Sequence, residues 1–235
     1  MKKDSNLFNF AFVTINALLL GLGSLCLGLR SIFSAGVLAG WDKGQLLIFS
    51  SYTFGLFTLI ALVLGSIFLA YPLLRKNKKL LFGITIFLDW IFLIYLAADA
   101  FIYPLYRTNL NFAMIQMTFL GGGRIVSFSL PMIFEIAAWI LGLGLLSWIF
   151  TFISFKLATF KKLSLTALVL VLAGFCCSNL CYSWGFANFN TRLVSVFDKI
   201  PLARPLRMNT QLQKLGLIDK KAIDARKVSL DEHGK

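Results

Sequence analysis

Hydrophobic residues in this chain run in long blocks instead of alternating with polar ones. Leu7 to Leu29, Leu46 to Leu74 and Leu163 to Asn190 contain no charged residue; Leu80 to Tyr103 contains only Asp89 and Asp99, and Val126 to Ile153 only Glu135. Each block is longer than the roughly 20 apolar residues an α-helix needs to cross about 30 Å of hydrocarbon. Period-2 patterning, the mark of barrel strands, is missing, and helices satisfy lipid-facing backbone internally. The pattern predicts an all-α polytopic membrane protein. Its five-helix transmembrane domain covers residues 1–190, with spans at about 7–29, 46–74, 80–103, 126–153 and 163–185, and a polar segment follows at 191–235. No internal repeat is visible.

The first block follows Lys2 and Lys3, so a cleaved signal peptide competes with a permanent helix. Its apolar core is longer than the roughly 7 to 15 residues of a signal peptide, and no clear A-x-A site follows. It is read as a retained span.

Composition supports the membrane reading: 58% of the 235 residues are hydrophobic, 24 are Phe and only 14% are charged, outside soluble-domain usage. The basic residues give an orientation. Lys2, Lys3, Arg75, Lys76, Lys78, Lys79, Lys156, Lys161 and Lys162 flank one side of the spans, whereas Arg30, Lys43, Arg107 and Arg124 flank the other. The positive-inside rule then places the N-terminus in the cytoplasm and, after five crossings, the tail outside, which in a bacterium is the periplasmic face of the inner membrane. The connection over residues 104–125 shares that face.

Of the net charge of +13, the tail holds +5 and the membrane part +8. Loop charges on the cytoplasmic side are topogenic first, so the high basicity does not argue for nucleic acid. Basic residues on the outer side need another explanation, and an anionic partner there supplies one. Pro201 and Pro205 interrupt the tail. Residues 206–215 are predicted to form a short helix with Leu206, Leu212 and Leu215, ended by Gly216 as a C-cap. Asp219 is placed to N-cap a last turn over 220–227. An amphipathic segment leaving a span in this way lies on the headgroup layer, with Tyr182 and Trp184 in the aromatic belt. A solvated linker to a further domain is the alternative.

Ser178, Tyr182, Trp184, Ala187, Asn188 and Phe189 (S-x-x-x-Y-x-W-x-x-A-N-F) resemble the end of the fifth helix in the YejM/PbgA family of Gram-negative inner-membrane proteins. Pro201, Leu202, Pro205, Gly216, Leu217 and Asp219 continue the similarity, and Asp99, Tyr103, Tyr106, Leu110 and Asn111 resemble that family's helix-three exit. The resemblance covers most of the chain, strongest over 99–111 and 178–219. It implies five membrane helices, a periplasmic interfacial segment, and a following sulfatase- or alkaline-phosphatase-like domain that these 235 residues do not include. It further implies a sensor of lipopolysaccharide that maintains outer-membrane lipid homeostasis through a cytoplasmic-side partner acting on the lipid A deacetylase. Asn209 and Thr210 stand where the family carries an adjacent Arg pair, so phosphate contacts shift to Arg204, Arg207 or Lys214.

On this reading Tyr182, Trp184, Asn188, Phe189, Arg192, Arg204, Arg207 and Lys214 bind lipid A or another anionic phospholipid. Acyl chains lie along helix five, and each charge-assisted hydrogen bond to a phosphate contributes about 1.5–3 kcal/mol.

The intramembrane acids are weighed separately, because an ionisable group in the bilayer is costly and is a functional candidate by default. Asp89 and Asp99 lie within roughly 80° of each other around one helix and about 15 Å apart along it. Glu135, one turn into helix four, is expected near the depth of Asp99, with Arg30, Arg107 and Arg124 close to that surface. A structural hydrogen bond to a neighbouring helix is the preferred role; a headgroup or partner contact and proton-coupled transport stay open.

The other constellations point to packing. Cys26, Cys176, Cys177 and Cys181 form no C-x-x-C and are read as small buried thiols. His233 is the only histidine, so no metal site and no cofactor are expected. Gly121, Gly122 and Gly123 before Arg124 match no nucleotide loop and are read as a flexible connector. No nucleophile has a matching base, so no enzyme activity is expected of this chain, although a longer form with a hydrolase domain leaves that open. Two alternatives to a lipid-sensing module remain: the membrane anchor of a headgroup-modifying enzyme of the phosphoethanolamine-transferase type, and a small proton-coupled transporter.

Overall fold

The computed structural model describes residues 2–71, 77–111, 113, 114, 116, 129–188, 190–206, 214 and 216. The chain forms α1 (Lys2–Ser34), a 3-10 turn (Leu38–Gly40), α2 (Lys43–Ala70), α3 (Lys78–Tyr106), α4 (Leu130–Leu157), α5 (Lys161–Ala187) and the short α6 (Thr191–Phe197); no strand occurs among the described residues. Five of these helices are long and apolar enough to cross a membrane. The protein is a multi-pass, all-helical membrane protein.

Local chemistry sets the helix ends. Asp42 and Gln45 form a reciprocal capping box at the start of α2, which satisfies two otherwise orphaned N–H groups. That helix stops at Ala70, short of the expected residue 74, because Tyr71 precedes Pro72 and takes an extended conformation (φ −81°, ψ 116°), as the residue before proline prefers. Asn77 caps α3 by accepting from the Leu80 N–H. Pro104 is tolerated in the final turn of α3, and Arg107 ends the helix in the left-handed conformation (φ 57°). Pro131 lies in the first turn of α4, where its missing N–H is no loss. This moves the start of the described helix from the expected residue 126 to Leu130.

The bundle is organised around α1. Two-thirds of its spanning stretch (67%) is buried, against 17–28% for the other four helices, and it packs on all of them. On one flank α2 packs on α5; on the other α3 packs on α4. Hydrocarbon gives no hydrophobic drive between helices, so close approach of small residues and interhelical hydrogen bonds hold the bundle. A Cβ on Gly21 would overlap the Thr58 hydroxyl and lie 3.0 Å from the Phe54 carbonyl, which fixes a close approach between α1 and α2. Between α3 and α4, Trp90 Nε1 donates to the Ile140 carbonyl (2.8 Å) and Ser147 Oγ to the Ile86 carbonyl (2.7 Å). Large apolar side chains such as Leu141, Leu170 and Val169 face outward, where lipid would meet them.

The segment after α5 turns back over the end of the bundle as a strap. The Asn190 side chain accepts from the Leu193 N–H at the start of α6. Val196, Phe197 and Ile200 are buried in the main core with Tyr52 and Tyr182. The residues directly after the fifth span are therefore part of the bundle core and do not lie loosely on the headgroup layer. The continuation predicted at 206–215 lies mostly outside the described residues, as does the Asp219 cap. Gly216 has φ +68°, as a C-cap requires.

Candidate headgroup-face site

The ends of α1, α3 and α5 and the start of α2 meet beneath the strap. Four side chains hold the strap's backbone. Gln45 Nε2 donates to the Arg192 carbonyl (3.0 Å) and Asn109 Nδ2 to the Asp198 carbonyl (3.0 Å). Ser183 Oγ donates to the Leu206 carbonyl (2.6 Å), and the Leu206 N–H donates to Asn179 Oδ1 (3.3 Å). The Tyr52 hydroxyl meets the backbone of Arg204. Its ring packs 4.9 Å from Phe197, which also lies 4.8 Å from Tyr182 in an edge-on arrangement. A Cβ on Gly185 would overlap Leu193, so glycine at that position lets α6 lie directly on α5.

Arg192 and Arg204, fixed through their backbones, keep their side chains exposed, and neither forms an ion pair among the described residues. Arg204 lines an open cleft of about 520 Å³ together with Tyr95, Asn109, Asn111 and Leu202. The Tyr95 hydroxyl donates to the Leu110 carbonyl (3.4 Å), and Asn111 Oδ1 accepts from the Met114 N–H (2.9 Å). A cleft that mixes apolar side chains with Tyr95, Asn109 and Asn111, beside an unpaired guanidinium at the bundle end, suits an amphiphile with a phosphorylated headgroup. Lys199 is partly enclosed: its ammonium donates to the Ser195 carbonyl (2.7 Å) and lies 5.7 Å from the Trp41 ring. Burial holds it below its ordinary value, and the nearby Asp198 carboxylate opposes that shift.

Several expected site residues fall elsewhere. Tyr182 is 7% exposed; it packs under α6 and not in a lipid-facing belt, because its helix face is covered by the strap. Trp184, next but one along the helix, is 48% exposed. Asn188 Nδ2 donates to the Trp184 carbonyl (2.9 Å) and so helps to finish α5. Lys214 is helical and exposed; Phe189 and Arg207 lie outside the described residues, as do Gly121, Gly122, Gly123, Arg124 and His233.

Of the three acids, Asp89 and Asp99 are buried. Asp89 Oδ2 accepts from Asn16 Nδ2 of α1 (2.6 Å), and Asn16 Oδ1 accepts from Ser154 Oγ of α4 (3.3 Å). One polar chain thereby ties three helices together. Asp99 accepts from the Leu110 N–H and braces the exit of α3. Glu135 is exposed on α4, contrary to the expectation of a buried acid, because its helix face is open to lipid. The cysteines also depart from expectation: Cys26, Cys176 and Cys177 are exposed and Cys181 half-buried, all as free thiols. A thiol is small and apolar enough to face lipid as readily as protein.

Gln45, Tyr52, Asn109, Asn179 and Ser183 hold the strap, and the sequence reading passed over all five. Polar side chains near the ends of otherwise apolar blocks were the available signal. A family profile described as Domain of unknown function (DUF3413) matches residues 2–235. The chain belongs to this family. No curated protein matches it. The DUF3413 chain thus comprises both the five-helix bundle and the strap that closes one end of it.

Proposed function

We propose that this DUF3413 protein is a lipid-binding sensor or regulatory module that holds a phosphorylated glycolipid, lipopolysaccharide or its lipid A moiety, at the periplasmic leaflet of a bacterial inner membrane. The observation that carries the reading is the strap: its backbone is fastened to α2, α5 and the α3 exit while Arg192 and Arg204 stay exposed and unpaired among the described residues, Arg204 at the edge of an open cleft. A fixed backbone with free cationic ends is preorganised for phosphate, since little ordering remains when the ligand arrives. The positive-inside count puts that face outside the cytoplasm, and the resemblance to the YejM/PbgA family supplies the ligand class. On the same reading the opposite, lysine-rich face meets a membrane partner that regulates the lipid A deacetylase. Asp89, bound to Asn16, acts as an interhelical brace.

The test is to replace Arg204 and Arg207 with Glu and measure co-purified lipopolysaccharide by mass spectrometry. A fall of roughly tenfold or more is expected from losing charge-assisted contacts, and unchanged content rejects the ligand assignment.

A further inference from the structure

A groove of about 420 Å³ runs between α3 and α4, away from the strap. It is lined almost entirely by apolar side chains and stretches from Leu105 to Ile94 on α3 and from Met132 to Leu143 on α4. At about 1.5 Å per residue each wall runs roughly 16 Å along its helix. The shape is that of a slot for a hydrocarbon chain, with the last turns of α3 and the first turns of α4 at one end.

Two opposite charges border the groove, Glu135 among its lining residues and Arg30 against two of its lining rings. The Arg30 guanidinium lies over the Phe101 ring (4.1 Å from its centre) and the Trp139 ring (4.9 Å). Its position is fixed by the two ring faces, and its N–H groups have no hydrogen-bond or ion-pair partner among the described residues. Glu135 lies one turn before Trp139, on the same face of α4, where positions four apart are neighbours. Glu135 lines the groove, and its carboxylate also lacks a partner among the described residues. An unpaired carboxylate at the edge of the hydrocarbon is costly, so a cation that reaches it is strongly favoured.

We infer that this groove is a second lipid site, selective for a zwitterionic phospholipid with a primary ammonium headgroup. An acyl chain fills the slot, the phosphate meets Arg30, and the ammonium donates hydrogen bonds to Glu135. A purely anionic headgroup meets the Glu135 charge and is disfavoured. A quaternary ammonium has no N–H to donate, and the aromatic faces that could hold it are already covered by Arg30. The inference is independent of the glycolipid proposal, since it concerns another face and another headgroup.

The experiment uses the intact 235-residue chain in nanodiscs of phosphatidylethanolamine, phosphatidylcholine and phosphatidylglycerol with matched acyl chains, followed by native mass spectrometry of retained lipid. Phosphatidylethanolamine should be retained about tenfold over the other two, as one charge-assisted hydrogen bond allows. Glu135→Gln, at an exposed position that the fold does not need, should erase that preference. Ala98→Phe should fill the slot and reduce retention of all three lipids, with co-purified lipopolysaccharide unchanged in both variants. Equal retention of phosphatidylethanolamine and phosphatidylcholine by the wild type overturns the inference. So does a preference that survives Glu135→Gln, or photo-crosslinks from position 98 that reach another polypeptide instead of lipid.

Discussion

Asn16 shows what a single amide does inside this bundle. It donates to Asp89 on α3 and lies 3.3 Å from the Ser154 hydroxyl of α4, which also reaches the Phe150 carbonyl at 2.7 Å, so its removal leaves the Asp89 carboxyl without its partner. Buried groups stripped of a partner cost about 1–3 kcal/mol each, more when charged. Asn16→Leu should therefore lower stability by about 1–3 kcal/mol, whereas Asp89→Asn, which keeps a hydrogen-bonding side chain in place, should cost much less. Thermal unfolding in detergent, read by circular dichroism, distinguishes the two; equal losses would deny Asn16 its bridging role. The sequence singled out Asp89 because a carboxylate in an apolar run is conspicuous. Asn16 drew no notice, since an uncharged amide in a span is a weaker signal and only the packing of α1 between α3 and α4 reveals its partners.

At the scale of elements, long hydropathic blocks announced the five spans, and capping chemistry then trimmed them to Ala70 and Leu130. The strap was not legible. Thr191–Phe197 is only seven residues long, too short for a reliable period, and with Arg192 inside it and Asp198 next to it the stretch read as part of an interfacial tail. What buries Val196, Phe197 and Ile200 is the pair of rings from Tyr52 and Tyr182, a tertiary condition. For the same reason Tyr182 was assigned to lipid when it belongs to the core. Lys199 gives the strap a dependence on pH. Burial pulls its pKa below the ordinary 10.5, so the folded chain binds that proton less well than the unfolded chain. The unfolded state then carries more protons between the depressed value and 10.5, and stability rises with pH across that window. At neutral pH the penalty for the enclosed ammonium is fully present. Lys199→Met should flatten this rise, so the difference in melting temperature between variant and wild type should hold constant near neutrality and change only as the pH climbs through the window that ends at about 10.5. A constant difference would mean that Lys199 is not held in a desolvated state.

For the whole molecule, two features make one design. The central α1, with its small and polar side chains, provides a scaffold that the other four helices pack around, and the strap closes one end so that arginines are displayed on a fixed backbone. The direction in which that end faces rests on the distribution of lysines and arginines and is the claim on which the glycolipid reading depends. It is tested most directly by thiol labelling in whole cells. The four cysteines Cys26, Cys176, Cys177 and Cys181 are changed to Ser, a single cysteine is placed at Arg204, and a membrane-impermeant maleimide is applied before and after the inner membrane is opened. The account predicts full labelling once the outer membrane alone is permeabilised, with no increase on lysis. Protection until the inner membrane is broken would put the strap in the cytoplasm and contradict it.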